Sequence, residues 1–243
     1  VNDGDRTNDD VSFSSDEKAT IIVTKDGSAY SYDFGESIKE EGEYVVRIYD
    51  SYGNEETARF VIDKSVDASA TVENGSTTNS DVMVSSDEEV SVVAKRDGTA
   101  FDYELGDKLT EDGYYEITLR DSLGNEKTVS FTIDKTAPEI TISGIEDGGK
   151  DDARVTLSDM TEEGEIHVYK DGQEIEYRLG DELFEYGKYE VIVKDKLGNS
   201  RTYSFELCFK ANGAVIALIG VGIAIVASTV VLVAMKKKRV FKK

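Results

Sequence analysis

One segment occurs three times in this chain, and its spacing constrains the fold more than any single residue does. It reads Tyr44-x-Val46-x-Ile48-x-Asp50-x-x-Gly53-Asn54, then Tyr115-x-Ile117-x-Leu119-x-Asp121-x-x-Gly124-Asn125, then Tyr189-x-Val191-x-Val193-x-Asp195-x-x-Gly198-Asn199. A chain of near-copies at this period is a series of similar structural units. The register runs well beyond the segment. Gly27, Gly35, Gly42 and Gly53 recur at one constant interval as Gly98, Gly106, Gly113 and Gly124, and at a second, slightly longer interval as Gly172, Gly180, Gly187 and Gly198. Phe60, Phe131 and Phe205 keep step. Toward the N-terminus, Val1, Gly4, Thr7, Asn8 and Val11 precede Val72, Gly75, Thr78, Asn79 and Val82 by the first of these intervals. Length changes are therefore expected ahead of each Asp-Gly pair. Copies two and three begin earlier, with residues 67–71 and 136–143, which have no counterpart in the first copy. The first copy is expected to lack its N-terminal strand, and the chain to be a fragment or processed product of something longer.

Inside each copy the hydrophobic period is two. Tyr44, Val46 and Ile48 alternate with polar residues. So do Tyr30, Tyr32 and Phe34 and their equivalents Phe101, Tyr103, Leu105 and Ile175, Tyr177, Leu179. One face buried and the other wet is the signature of a sheet packed on a second sheet. Turn residues every 8–12 positions point to an all-β sandwich. In the second copy the strands are expected near 82–85, 90–94, 99–105, 114–120 and 126–133, with one more at its start. Helical periodicity is absent until residue 213.

Two local devices agree. In Asp50-Ser51-Tyr52-Gly53, Asp at the first position and Gly at the fourth suit a type I turn closed by a left-handed residue, a common hairpin connection. Positive φ at Gly53 carries no Cβ penalty. Tyr44, Tyr115 and Tyr189 each follow a Gly by two residues at the start of the penultimate strand. An immunoglobulin-like sandwich often carries a tyrosine there whose hydroxyl bonds back to the chain; a plain core tyrosine also fits. At about 71–75 residues each copy is small for a sandwich and individually marginal, so contacts between neighbours are expected to help. Pro138 suits the edge or start of a first strand.

The junction Ile133-Asp134-Lys135-Thr136-Ala137-Pro138 and the Asp-x-x-Gly-Asn hairpins resemble those of the immunoglobulin-like repeats of bacterial surface proteins, chiefly of Gram-positive Firmicutes. The resemblance covers roughly residues 1–210 and implies a fold and a surface setting rather than a ligand. The chain departs from antibody domains in having no cysteine pair, and its earlier junction, Asp63-Lys64-Ser65-Val66, lacks the proline.

Residues 213–235 carry no charge. At 1.5 Å per residue a helix of that length spans roughly 34 Å, enough for a bilayer core. Lys236, Lys237, Lys238, Arg239, Lys242 and Lys243 follow, so this end is expected in the cytoplasm and the repeats outside. No Leu-Pro-x-Thr-Gly sorting motif precedes the run, because Pro138 is the sole proline. Gly220, Ala224 and Ser228 fall on one helix face and would let two such helices approach closely as a dimer.

With 28 basic and 50 acidic residues the net charge is −22, and six of the basic residues sit in the tail. So acidic an ectodomain repels nucleic acid, which excludes that class of partner. The acidity serves solubility in the plainer reading and calcium binding in the sharper one. Asn2-Asp3-Gly4-Asp5 with Asn8, Asp9 and Asp10, and Glu146-Asp147 with Asp151-Asp152, offer hard oxygen ligands, without the twelve-residue calcium-loop spacing. One His and one Cys leave little for nucleophilic or metal chemistry. His167 aligns with Ile22 and Val93 and is expected to face away from the core. Cys208 aligns with Asp63 and Asp134 and is read as an unpaired residue, with an intermolecular disulfide as the rival. No catalytic, cofactor-binding or metal-ligating residue is assigned.

The sequence thus predicts an all-β chain of tandem immunoglobulin-like β-sandwich domains followed by one C-terminal transmembrane α-helix. The bounds are 1–64 (repeat 1), 65–135 (repeat 2), 136–210 (repeat 3), 211–235 (membrane helix) and 236–243 (basic tail). The expected function is a non-catalytic cell-surface stalk or adhesion segment on a single-pass anchor, touching membrane lipid at one end and a cell-surface, cell-wall or host ligand at the other. The alternative is a membrane-proximal spacer for a surface enzyme or solute-binding receptor whose functional domain lies upstream of residue 1.

Overall fold

A computed structural model describes residues 1–210; the membrane helix, its small-residue face and the basic tail expected from the sequence lie outside the described residues. Those residues form strands, turns and loops, and none of their segments is a helix long and apolar enough to cross a membrane. The all-β expectation holds. Repeats 1 and 2 fall in one compact unit, Val1–Lys135, and repeat 3 in a second that begins at Thr136.

Repeat 1 contains β1 (Asp5–Thr7), β2 (Ala19–Lys25), β3 (Ser28–Tyr30), β4 (Gly42–Asp50) and β5 (Glu55–Ile62). They make one five-stranded sheet in the order β1-β5-β4-β2-β3. Repeat 2 contains β6 (Ser69–Ala70), β7 (Thr77–Thr78), β8 (Val84–Ser85), β9 (Ser91–Arg96), β10 (Thr99–Phe101), β11 (Gly113–Arg120) and β12 (Glu126–Ile133). Its large sheet runs β7-β12-β11-β9-β10. Repeat 3 contains β13 (Thr141–Ser143), β14 (Lys150–Asp151), β15 (Val155–Ser158), β16 (Gly164–Lys170), β17 (Gln173–Ile175), β18 (Glu182–Leu183), β19 (Gly187–Asp195) and β20 (Ser200–Leu207), with the large sheet β14-β20-β19-β16-β17. In all three the edge strand is parallel to its neighbour: Arg6 pairs with Val61, Thr77 with Thr132, and Lys150 with Glu206.

Three cores result, each made within one repeat. Their common centre is an aromatic stack, Tyr44 on Phe60, Tyr115 on Phe131 and Tyr189 on Phe205, with ring centroids 5.3, 5.3 and 5.1 Å apart. Both readings of the tyrosine prove correct together. The ring is buried, and the hydroxyl donates to the carbonyl four residues back: Tyr44 to Glu40 (2.9 Å), Tyr115 to Glu111 (2.8 Å) and Tyr189 to Glu185 (2.9 Å). That is the tyrosine corner of immunoglobulin-like sandwiches. The hairpins behave as the sequence suggested: Gly53 and Gly124 adopt φ of +88° and +91°, and the Gly53 N–H donates to the Asp50 carbonyl at 3.3 Å.

One expectation needs correction. The strand placed at 99–105 ends at Phe101. Tyr103 and its equivalents Tyr32 and Tyr177 alternate with polar neighbours because their side chains span the two layers. Each accepts from an amide of the facing layer (Phe13, Val84 and Leu157, at 2.8, 3.0 and 3.0 Å). Each also donates to the carbonyl four residues on. The length change expected ahead of Asp171-Gly172 is found there, because the first half of repeat 3 keeps a shorter interval to repeat 2 than the glycines do. Thr77 and Lys150 occupy the same ladder position, as do Val82 and Val155, opposite Leu109 and Leu183. The extra residue therefore enters after Leu157, where Asp159 takes a left-handed φ of +54°.

Candidate functional site

The described residues bring polar side chains from two repeats together at the junction of repeats 1 and 2. The parallel edge strand β1 carries Arg6 and leads into Asn8, and β5 ends one residue before Asp63, whose N–H is held by the Thr7 carbonyl at 2.8 Å. Repeat 2 presents the hairpin between β11 and β12. Asp121 builds that hairpin: its carboxylate accepts from the Leu123 and Asn125 N–H groups (2.9 and 2.8 Å) and from the Asn125 side-chain amide (2.8 Å). So tethered, Asn125 donates its amide to the Asp63 carbonyl at 3.0 Å. Asn8 returns the contact, donating to the Leu123 carbonyl at 2.9 Å and to the Asn125 side-chain oxygen at 3.3 Å. Two asparagines, 117 residues apart, thus clasp the linker and the hairpin reciprocally.

Beneath the clasp lies a charge cluster. Carboxylate oxygens of Asp63, Glu88 and Asp121 lie within 4.8 Å of one another, a spacing at which like charges repel. Arg6 answers that repulsion, with Nε 2.9 Å and a terminal nitrogen 2.7 Å from one oxygen of the buried Asp63 carboxylate. Its guanidinium is pushed further above its already high ordinary value, first by the hydrogen bond to Asp63, then by the charge of Asp63, against desolvation, with smaller help from Glu88 and Asp121. Desolvation pushes the Asp121 carboxyl up. The Asn125 amide and the N–H groups of residues 123–125 outweigh it and hold the carboxyl below the ordinary carboxylate range. Chemically this is a clamp with its own internal cation.

The acidic clusters singled out in the sequence have other employment. Asp3 accepts from the Arg59 N–H at 2.8 Å, Asp5 from the Asn2 N–H at 2.6 Å, and Asp10 from Lys64. In repeat 3, Asp147 accepts from the Ser204 N–H at 2.8 Å, Asp151 from Lys210 at 2.8 Å, and Asp152 from the Tyr186 hydroxyl at 2.9 Å. They cap the parallel edge and tie down loops. His167 sits on the outer face of β16, as Ile22 and Val93 do on theirs, with Nδ1 2.7 Å from Glu174. Cys208 is half-buried just past β20, its N–H donating to the Asp151 carbonyl at 2.9 Å. Of the junction residues, Asp63 was marked in the sequence as part of the linker, whereas Asn8 and the hairpin residues Asp121, Gly124 and Asn125 carried a different signal and Arg6 and Glu88 none. Asn8 stood out as a possible oxygen ligand, the hairpin residues as a turn.

No family model matches the chain, and no curated protein does. Among solved structures it is similar to the I-band fragment I67–I69 from titin, at 11% identity with a TM-score of 0.35, over 86% of this chain and 96% of that one. It is also similar to immunoglobulin domains 1–4 of Sidekick-1 (11% identity, TM-score 0.34, 86% of this chain and 74% of that one). A third is the N-terminal eight-domain structure of Down syndrome cell adhesion molecule (15% identity, TM-score 0.34), where the match covers 84% of this chain and 34% of that one. All three are tandem immunoglobulin-domain proteins.

Proposed function

We propose that the chain is a non-catalytic cell-surface stalk. Its modules are residues 1–64, 65–135 and 136–210. They project a distal, adhesive part from a single-pass anchor at 211–235, with 236–243 on the cytoplasmic side. The observation that carries the reading is the first junction. Its reciprocal asparagine bonds and its Arg6–Asp63 pair fasten one module to the next, and a spacer needs successive modules to hold position. The anchor is supported by the uncharged run and the lysines after it, which suit a membrane span with a cytoplasmic tail. The acidic ectodomain and the likeness of its junction to Firmicutes surface repeats support a bacterial envelope setting. The partners are then membrane lipid at one end and a host or cell-wall ligand beyond the other.

Protease treatment of intact cells tests this against a chain ending at residue 210. The full chain is expected to lose its repeats to external protease, and the shortened chain to appear in the medium. Repeats protected in intact cells, or a shortened chain that still sediments with membranes, would overturn the proposal.

A further inference from the structure

The hairpin of repeat 1 is built like the hairpin that clasps the junction, yet none of the described residues cover it. Asp50, Tyr52, Asn54 and Glu17 are the repeat-1 equivalents, in unbroken register, of Asp121, Leu123, Asn125 and Glu88. The Asp50 carboxylate accepts from the Tyr52 and Asn54 N–H groups at 2.7 and 2.9 Å and from the Asn54 side-chain amide. The asparagine is therefore held in the same pose as Asn125, with its second amide hydrogen directed away from Asp50. Leu123 and Asn125 are half-buried, whereas Asn54 is exposed and Tyr52 is 92% exposed. A shallow concavity lined by Asp16, Glu17, Asp50 and Asn54 opens beside them.

We propose that this end of repeat 1 is a docking surface for the C-terminal end of another repeat of the same type, joined ahead of it. The chemistry of the occupant follows from the occupied copy of the surface. It supplies a strand-end carbonyl in the place of Asp63 to accept from Asn54, an asparagine amide in the place of Asn8 to donate to the Tyr52 carbonyl, and a basic side chain in the place of Arg6 to face Glu17 and Asp50. The far end of a second copy of this chain does not meet these terms. In repeat 3 the ladder places Asp152 where repeat 1 has Asn8, and a carboxylate has no hydrogen to give a carbonyl. Asp152 is also engaged by Tyr186. Repeat 3 therefore has the form of a last member of a series, and repeat 1 the form of an inner one.

The test duplicates the module in register. Residues 1–71 are fused ahead of Val1 of the full chain, so that Thr71 adjoins Val1 as it adjoins Val72. The measurement is hydrogen exchange of the segment 50–54 and of the Asn54 side-chain amide, in detergent. Exchange is expected to slow by about fivefold or more, the scale of one net hydrogen bond. Asn8→Asp in the added module alone, which copies the end of repeat 3, should return it to the unfused rate. Equal rates in fused and unfused chains, with near-ultraviolet tyrosine signals showing the added module folded, would overturn the proposal. So would slowing that survives Asn8→Asp, or protection of this segment in the unfused chain that grows with its concentration, since that assigns the surface to a second copy.

Discussion

The two layers of each repeat are built by different rules. The five-stranded sheet is nearly invariant: the same strand order, the same parallel edge, the same tyrosine–phenylalanine stack and the same corner hydrogen bond recur three times. The facing layer changes in every copy. In repeat 1 it is an isolated bridge between Val11 and Ile38. In repeat 2 it is the β6–β8 pair and a bridge between Val82 and Leu109, and in repeat 3 it is the three-stranded β13-β15-β18. What stays constant across it is the tyrosine hydroxyl that takes an amide from the facing layer in each copy. A small module can evidently lose strand pairing on one side if a side chain holds that side in place. The ladder defines the repeat, and one phenol closes it.

The largest test of that contrast is to empty the invariant centre. Phe131 is fully buried on Tyr115, so Phe131→Ala should cost about 3–5 kcal/mol. Phe60→Ala and Phe205→Ala should cost about as much, read as shifts in denaturant midpoint. A loss below about 1 kcal/mol in any repeat would show that its centre is not equivalent to the others. The next effect is on the closing phenol. Tyr103→Phe strands the N–H of Val84, which is fully buried, and should cost about 1–3 kcal/mol. Tyr32→Phe should cost less, because its partner Phe13 is only half-buried and water can reach the amide. Equal losses at the two positions would break the idea that the hydroxyl matters most where the facing layer is tightest.

The hairpins permit a smaller and sharper comparison. Asn125→Ala removes a bond across the junction and should cost about 1 kcal/mol. It should also separate the melting of repeats 1 and 2, followed by calorimetry. Asn54→Ala, within the same turn but on an open surface, should stay within about 0.5 kcal/mol of the parent. If the two variants lose the same amount, the asparagine serves only its own hairpin.

Much of the sheet was legible because it rests on local chemistry repeated three times. Period-two alternation located β4, β11 and β19, and Asp-x-x-Gly located the turn after each. Asp26-Gly27 and its copies also carried a readable signal: both residues take positive φ, which is the Asp-Gly preference of a two-residue hairpin turn. The parallel edges were not legible. A strand as short as β7, with two residues, shows no alternation, and parallel pairing leaves no turn between partners. Nor was the clasp. Asn8 and Asn125 sit far apart in sequence, and each already had a local explanation, one in an acidic loop and the other in a turn. A residue that serves its own turn and its neighbour's linker at once looks, in one sequence, like a turn residue.

The smallest expected effect comes from a position where the invariant sheet does differ. The outer face of the strand after the facing layer carries Ile22 in repeat 1, Val93 in repeat 2 and His167 in repeat 3, the only histidine in the sequence. The hydrogen bond to Glu174 raises the His167 pKa, against desolvation, with a smaller contribution from Glu165. A raised folded value means that the protonated form favours the folded state. The stabilisation is whole below the unfolded value, near 6.5, and is lost as pH climbs through the higher folded value. Repeat 3 should therefore melt slightly lower as the pH passes upward through that window, while the transition of repeats 1 and 2 stays flat. His167→Gln should remove the slope and leave the melting point at high pH nearly unchanged, because the imidazole is neutral there and its charged contribution is already lost. A His167→Gln profile that keeps the parent slope would exclude the imidazole as its source, and the depressed carboxylates could not stand in for it, because they act in the opposite sense and at lower pH. The outer face would then be as uniform energetically as the inner one.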